Sequence, residues 1–131
     1  MTDEELINLA KQASKNSYSP YSHFKVGAAL LCSDGTVFTG CNVENASFGA
    51  TNCAERTAVF SAVANGYRHF SKIAIVGSSD GVFTSPTPPC GICRQVFNQF
   101  CDKDFQIILF DGKEIIRLSL GEAFPYPFTD F

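Results

Sequence analysis

Two periods of apolar residues run along the chain. Thr2 and Glu5 stand at capping-box spacing, and Leu6, Leu9, Ala10 and Ala13 then recur on one helical face. This pattern predicts an amphipathic N-terminal helix. "NSYSPYS" (residues 16–22) breaks it with serines and Pro20. From Phe24 to Cys32, "FKVGAALLC" is a mostly apolar run of strand length. Turn residues Ser33 to Gly35 follow, so "TVFTGCNV" (Thr36 to Val43) is expected to return antiparallel as the second arm of a hairpin.

A polar loop of small residues, "VENASFGATN", leads to a second helix that opens at Cys53. Ala54, Ala58 and Ala62 share one spacing there, Val59 and Val63 another, and Asn65-Gly66 stops the helix. "IAIVG" (Ile73 to Gly77) is a short continuous apolar run of the kind buried strands show. A loop rich in Ser, Thr and Pro then ends at Cys90, where "CGICRQVFNQFC" predicts a third helix with Val96, Phe97 and Phe100 facing inward. "FQIILF" and "EIIRL" around Asp111-Gly112 predict a final hairpin. The order helix, strand, strand, helix, strand, helix, strand, strand points to an α/β fold: a mixed five-stranded sheet with helices on both faces. No repeat or linker divides it, so residues 1–131 are expected to form a single domain.

Composition agrees with that. The 131 residues are 45% apolar and 18% charged, enough for a real core. A net charge of −3 argues against a protein that grips nucleic acid through its phosphates. "MTDEELINLAKQA" lacks the basic start and apolar run of a secretory signal, and no stretch approaches the roughly 18 apolar residues of a membrane span. No membrane association and a cytoplasmic location are therefore expected.

In that compartment six cysteines do not form a disulfide framework. Cys32, Cys41 and Cys101 sit alone in apolar segments and are expected to be small buried hydrophobes. Cys53, Cys90 and Cys93 differ, because each lies at a predicted helix start. A Cys-x-x-Cys pair alone suits a redox couple as well as a metal knuckle. A third thiol at a second helix start favours metal, since helix N-termini stabilise thiolates and three of them suit Zn²⁺. The fourth ligand decides what such a site does. Cys32, Cys41 and His23 are open possibilities that would close it; water would leave it catalytic. Glu55 stands two residues after Cys53, where a carboxylate either complements the helix dipole or relays a proton from water that a metal activates. Arg56, three residues after Cys53, is placed to offset the negative charge of three thiolates; a surface ion pair is the alternative.

"CAERTA" followed by "PPCGICRQV" resembles the Cys-x-Glu and Pro-Cys-x-x-Cys pair of the zinc-dependent cytidine deaminases. "YSPYSHFKVGAAL" and "GCNVENASFGATNCAERTA" are similar to the short-chain, homotetrameric branch that acts on free nucleosides. The resemblance covers most of the chain from Tyr18 to Val96. It implies a three-layer α/β/α cytidine deaminase-like fold, with Zn²⁺ held by Cys53, Cys90 and Cys93 and Glu55 as the proton carrier. Asn42 and Glu44 match residues that bind the ribose, Phe24 one that lines the pyrimidine pocket, and the Ala54 backbone a contact to the base edge. Arg56 matches the cation beside the thiolates. Further implications are water as second substrate, no organic cofactor, shared active sites in a homotetramer, and a role in pyrimidine salvage. Gln95 is expected only to support the nearby loop.

The chain departs from the family pattern at three positions. Phe48 stands where Tyr is common, Pro88 where Ser is common, and Gly121 where the tail has a proline. Phe124 would then match, more loosely, a ring that caps a neighbouring subunit's pocket. Two other functions fit the same motifs. One is a deaminase for a nucleotide, another base or blasticidin S; the other is a zinc-stabilised domain that has lost catalysis.

Overall fold

The computed structural model describes residues 1–129. Thr2 Oγ1 accepts from the Glu5 backbone N–H (3.1 Å), and the Glu5 carboxylate accepts from that of Thr2 (3.2 Å). The expected capping box therefore opens helix α1 (Asp3–Ser14). Strands β1 (Lys25–Cys32) and β2 (Val37–Cys41) form the first hairpin. Helix α2 (Ala54–Ala64) precedes β3 (Phe70–Ser78), and α3 (Gly91–Phe100) precedes β4 (Gln106–Phe110) and β5 (Ile115–Ser119).

The sheet order is β2-β1-β3-β4-β5. β1 runs antiparallel to β2 and β3, β3 parallel to β4, and β4 antiparallel to β5. The single parallel pair requires a crossover, and α3 supplies it.

Alternation of side chains across the pleat divides the core in two. Ala29, Ala74, Val76 and Ile108 face Leu6, Ile7 and Ala10 of α1. Ala28, Leu30, Ile73, Ile75, Ile107 and Leu109 face the other way, onto Ala58, Val59 and Ala62 of α2 and Phe97 of α3. Both faces are covered, which is why the strands read as continuous apolar runs. The three-layer architecture is as the sequence predicts. Cys32 is buried and Cys41 and Cys101 are half-buried, with burial pushing the Cys101 thiol up to about 12.

Several details differ from expectation. β3 begins at Phe70, three residues early, because Lys72 pairs with both Leu31 and Gln106 across two neighbouring strands. Ile7 is buried where the predicted stripe has Leu9, which is half-buried. A short helix α4 (Leu120–Ala123) follows β5, opened by a second capping box between Ser119 and Glu122. One 3-10 turn, Phe48–Ala50, sits in the loop before α2.

Two glycines set how close the helices lie. A Cβ at Gly27 would meet the Ala10 carbonyl of α1 at 1.9 Å, and one at Gly40 would meet Ala58 N and Ala54 O of α2 at 2.5 and 2.6 Å. Neither clash is with a flexible side chain, so the helix itself would have to move. Gly40→Ala is expected to cost about 1–3 kcal/mol by overpacking. If Cys53 binds metal as the sequence leads one to expect, retention of that metal should fall as well, because α2 carries Cys53 at its start. Thermal melts and metal analysis check this, and unchanged values for both would contradict it.

Candidate active site

Cys53 is the N-cap of α2 and Cys90 the N-cap of α3. An N-cap side chain usually accepts a hydrogen bond from its own helix, but neither cysteine does so. Their sulfurs instead lie 3.7 Å from each other. Cys93, fully buried in the first turn of α3, completes a cluster whose three Sγ atoms all lie within 4.8 Å of one another. Tetrahedral zinc with Zn–S near 2.3 Å holds its sulfurs about 3.8 Å apart, so the cluster fits that ion. Two helix N-termini add their partial positive charge. Among the described residues no fourth His, Cys, Asp or Glu joins the group, which leaves out His23, Cys32 and Cys41. Three protein ligands are the number a catalytic zinc site has, rather than a closed structural one.

Glu55 lies in the first turn of α2 and is 4% exposed. Burial pushes its carboxyl up to about 7, and the neighbouring Cys53 charge acts in the same direction. A carboxyl so poised can both take and give a proton near neutrality. Cys53 is pulled down to about 5, foremost by hydrogen bonding from Cys93, with burial opposing and Arg56 and Cys90 assisting. Cys93, holding that proton, is pushed upward. Arg56 Nη2 donates to Cys53 Sγ at 3.2 Å. Burial works against the Arg56 charge, but Cys53 and Cys93 outweigh it and hold the guanidinium charged.

A polar ledge abuts the cluster. Asn52, next to Cys53, exchanges backbone hydrogen bonds with Val43 (2.9 and 3.0 Å), which lies between Asn42 and Glu44. Asn42 Oδ1 accepts from Val26 N (2.9 Å) and Ser17 Oγ (2.5 Å), and its Nδ2 donates to Phe24 O (2.8 Å). One N–H of that amide has no acceptor among these bonds. The Glu44 carboxylate accepts from Tyr21 N (3.0 Å), Ser22 N (3.1 Å) and Ser22 Oγ (2.5 Å). These bonds, that from the Ser22 side chain foremost, hold Glu44 below its ordinary range and therefore ionised. Glu44 and Phe48 line a cavity of about 240 Å³, where Phe48 is 83% exposed.

The Phe24 ring lies over Gly77, where an added Cβ would meet its Cζ at 2.7 Å and Thr87 Oγ1 at 2.8 Å. Phe24 and Thr87 share a cavity on the loop that leads to Cys90. Ala54, fully buried, follows Cys53 directly. Phe124 packs against the same core cluster that includes Cys93, and it lines a cavity with Lys103 and Pro125. Gln95 does not support the nearby loop as expected. Its Nε2 donates to the Phe128 carbonyl (2.8 Å), so it holds the C-terminal tail.

Sequence reasoning missed Thr57. Its hydroxyl contacts Asn52 Nδ2 (3.0 Å), Cys41 O (3.0 Å) and Cys53 O (3.2 Å), tying the start of α2 to the end of β2. The available signal was its position four residues after Cys53, the spacing at which a helical threonine bonds back to a carbonyl.

The family model for the cytidine and deoxycytidylate deaminase zinc-binding region matches residues 1–109. A cytidine deaminase of Sporosarcina psychrophila is 44% identical over 130 residues, covering 98% of this chain and 93% of its own. A blasticidin-S deaminase of Bacillus cereus is 31% identical, covering 97% of this chain and 92% of its own. The crystal structure of cytidine deaminase from Burkholderia pseudomallei superposes with a TM-score of 0.89 at 48% identity, covering 98% of this chain and 100% of that one. With its three clustered thiols and buried glutamate, the chain belongs to the zinc-dependent cytidine and deoxycytidylate deaminase family.

Proposed function

We propose that this protein hydrolyses cytidine and deoxycytidine to uridine and deoxyuridine, releasing ammonia. The observation that carries this is Glu55, a buried carboxyl with its pKa near neutrality beside three thiols that fit zinc. Zinc held by Cys53, Cys90 and Cys93 supplies a Lewis acid that makes water a nucleophile at neutral pH. Glu55 takes a proton from the attacking water and delivers it to N3 of the base as the C4–O bond forms. It then moves the remaining hydroxyl proton to the amino group, the C4–N bond breaks, and ammonia leaves. Arg56 keeps Cys53 as a thiolate through its 3.2 Å contact and offsets the charge of the sulfur cluster.

Phe24 packs on the face of the pyrimidine, and the Ala54 backbone meets its edge. Asn42 donates its remaining N–H to the ribose, and Glu44 accepts from the sugar hydroxyls. Phe124 acts in a homotetramer by capping a neighbouring subunit's pocket. The protein serves pyrimidine salvage in the cytoplasm.

The family name includes a nucleotide, and one relative acts on an antibiotic, so substrate class needs a direct test. Glu44 separates nucleoside from nucleotide, because an ionised carboxylate at the sugar repels a 5′-phosphate. Initial rates on cytidine, deoxycytidine, their monophosphates and blasticidin S are the measurement. The two nucleosides should exceed the monophosphates in kcat/KM by about 10²-fold or more. Faster turnover of a monophosphate or of blasticidin S would overturn this choice of substrate.

A further inference from the structure

The largest cavity among those described, about 650 Å³, lies away from the cysteine cluster, on the face of the sheet that α1 covers. It opens between α1 and the loop that joins β3 to α3. Lys11, Lys15, Lys25, Ser78, Asp80 and Phe83 are among its lining residues. Ser78 and Asp80 also line the cavity beside Phe24, whereas Lys11, Lys15, Lys25 and Phe83 take no part in the site above.

The charge placed there is selective. The chain has ten basic residues. Lys72 and Arg117 pair with Asp3, Arg56 donates to Cys53, Arg68 to the Val63 and Tyr67 carbonyls, and Arg94 to the Ala123 carbonyl. Three of the remaining five line this one cavity. Among the described residues the only ion pairs are those of Asp3, so Lys11, Lys15 and Lys25 have no carboxylate within 4.0 Å. Three lysines against Asp80 make the cleft cationic on a chain of net charge −3. Asp80 is engaged in its own turn, where Oδ1 accepts from Val82 N (2.9 Å).

The other groups suit a phosphate in particular. Lys11 Nζ is held over the Phe110 ring at 4.3 Å and the Phe83 ring at 5.5 Å, which fixes one ammonium at the cavity wall. Ser78 Oγ accepts from Gly81 N (2.9 Å), and its own O–H has no acceptor among the described residues. Ammonium and hydroxyl donors without acceptors of their own match a group with several anionic oxygens. The volume falls in the range of small-molecule sites, and Phe83 adds an aromatic surface.

We propose that this cleft is a second binding site, for a phosphate-bearing small molecule of nucleotide size. It stands independently of the deaminase assignment, since its three lysines take no part in the cysteine cluster or the proposed nucleoside contacts. The loop that forms one wall at Asp80 continues to Thr87 and Cys90, so the cleft and the zinc cluster share a connecting segment.

The test is calorimetric titration of the zinc-loaded protein with inorganic tripolyphosphate and with cytidine triphosphate, in about 0.15 M salt to suppress diffuse attraction. Saturable one-to-one binding is expected, weakened at least tenfold in the Lys15→Glu, Lys25→Glu double variant. Both positions are exposed, so that variant should keep its melting temperature, zinc content and cytidine turnover. Tighter binding of cytidine triphosphate identifies a nucleotide as the ligand; equal binding identifies the polyphosphate alone. No saturable binding of either probe, or binding that the double variant leaves unchanged, overturns the proposal.

Discussion

Replacing Glu55 with glutamine lowers kcat for cytidine by about 10²–10⁴-fold, the range a positioned general acid–base supplies. Glutamine keeps the shape of the side chain and fills the same buried place, but it cannot shuttle a proton. The fold should survive, because a buried carboxyl whose pKa is raised by burial contributes little as a charge. Zinc content should survive as well, since Glu55 is not part of the sulfur cluster. Steady-state kinetics, a thermal melt and metal analysis on one preparation separate these effects. Turnover within tenfold of wild type would exclude Glu55 as the proton carrier. Loss of zinc together with activity would make it a ligand instead.

Cys93→Ala should have the largest effect on the metal. Complete zinc sites are worth about 10–16 kcal/mol, so one ligand in four is worth roughly 3–4 kcal/mol, or about 10²–10³-fold in affinity. Cys93 is fully buried and belongs to the core cluster with Phe97, so truncation also leaves a small void costing on the order of 1 kcal/mol. Arg56 would keep its charge beside fewer thiolates, a further penalty in a half-buried place. The variant is expected to purify with little zinc and negligible turnover, partly restored by excess metal. Full zinc occupancy with normal activity would contradict the ligand set.

Much of this was legible in the sequence, for physical reasons that can be named. The α1 start rests on a local exchange of hydrogen bonds between Thr2 and Glu5, which spacing alone reveals. The strands were legible because helices cover both faces, so every position in Ile73 to Val76 is apolar. The cluster of three thiols was legible because Cys53, Cys90 and Cys93 occupy two helix starts, positions that turn and capping signals locate.

What escaped depends on contacts across the fold. The early start of β3 at Phe70 and Lys72 is set by neighbouring strands, not by its own apolarity. Gln95 looks like any polar residue near a helix start until the tail returns to place the Phe128 carbonyl beside it. Asn42 was expected at the ribose, but most of its hydrogen-bonding capacity goes to Ser17, Phe24 and Val26. It therefore shapes the ledge and keeps one N–H outside these bonds. Phe124 shows the limit of a single chain, because its proposed role needs a second subunit.

If three thiols and one glutamate make a zinc-dependent hydrolase for cytidine, catalysis must follow the metal. The decisive measurement is the ultraviolet absorbance of cytidine with the purified protein, before and after a zinc chelator. Turnover to uridine should rise in proportion to bound zinc up to about one ion per chain, vanish with the chelator and return when zinc is restored. Unchanged deamination in metal-free protein, or no loss of cytidine at full zinc occupancy, would contradict it.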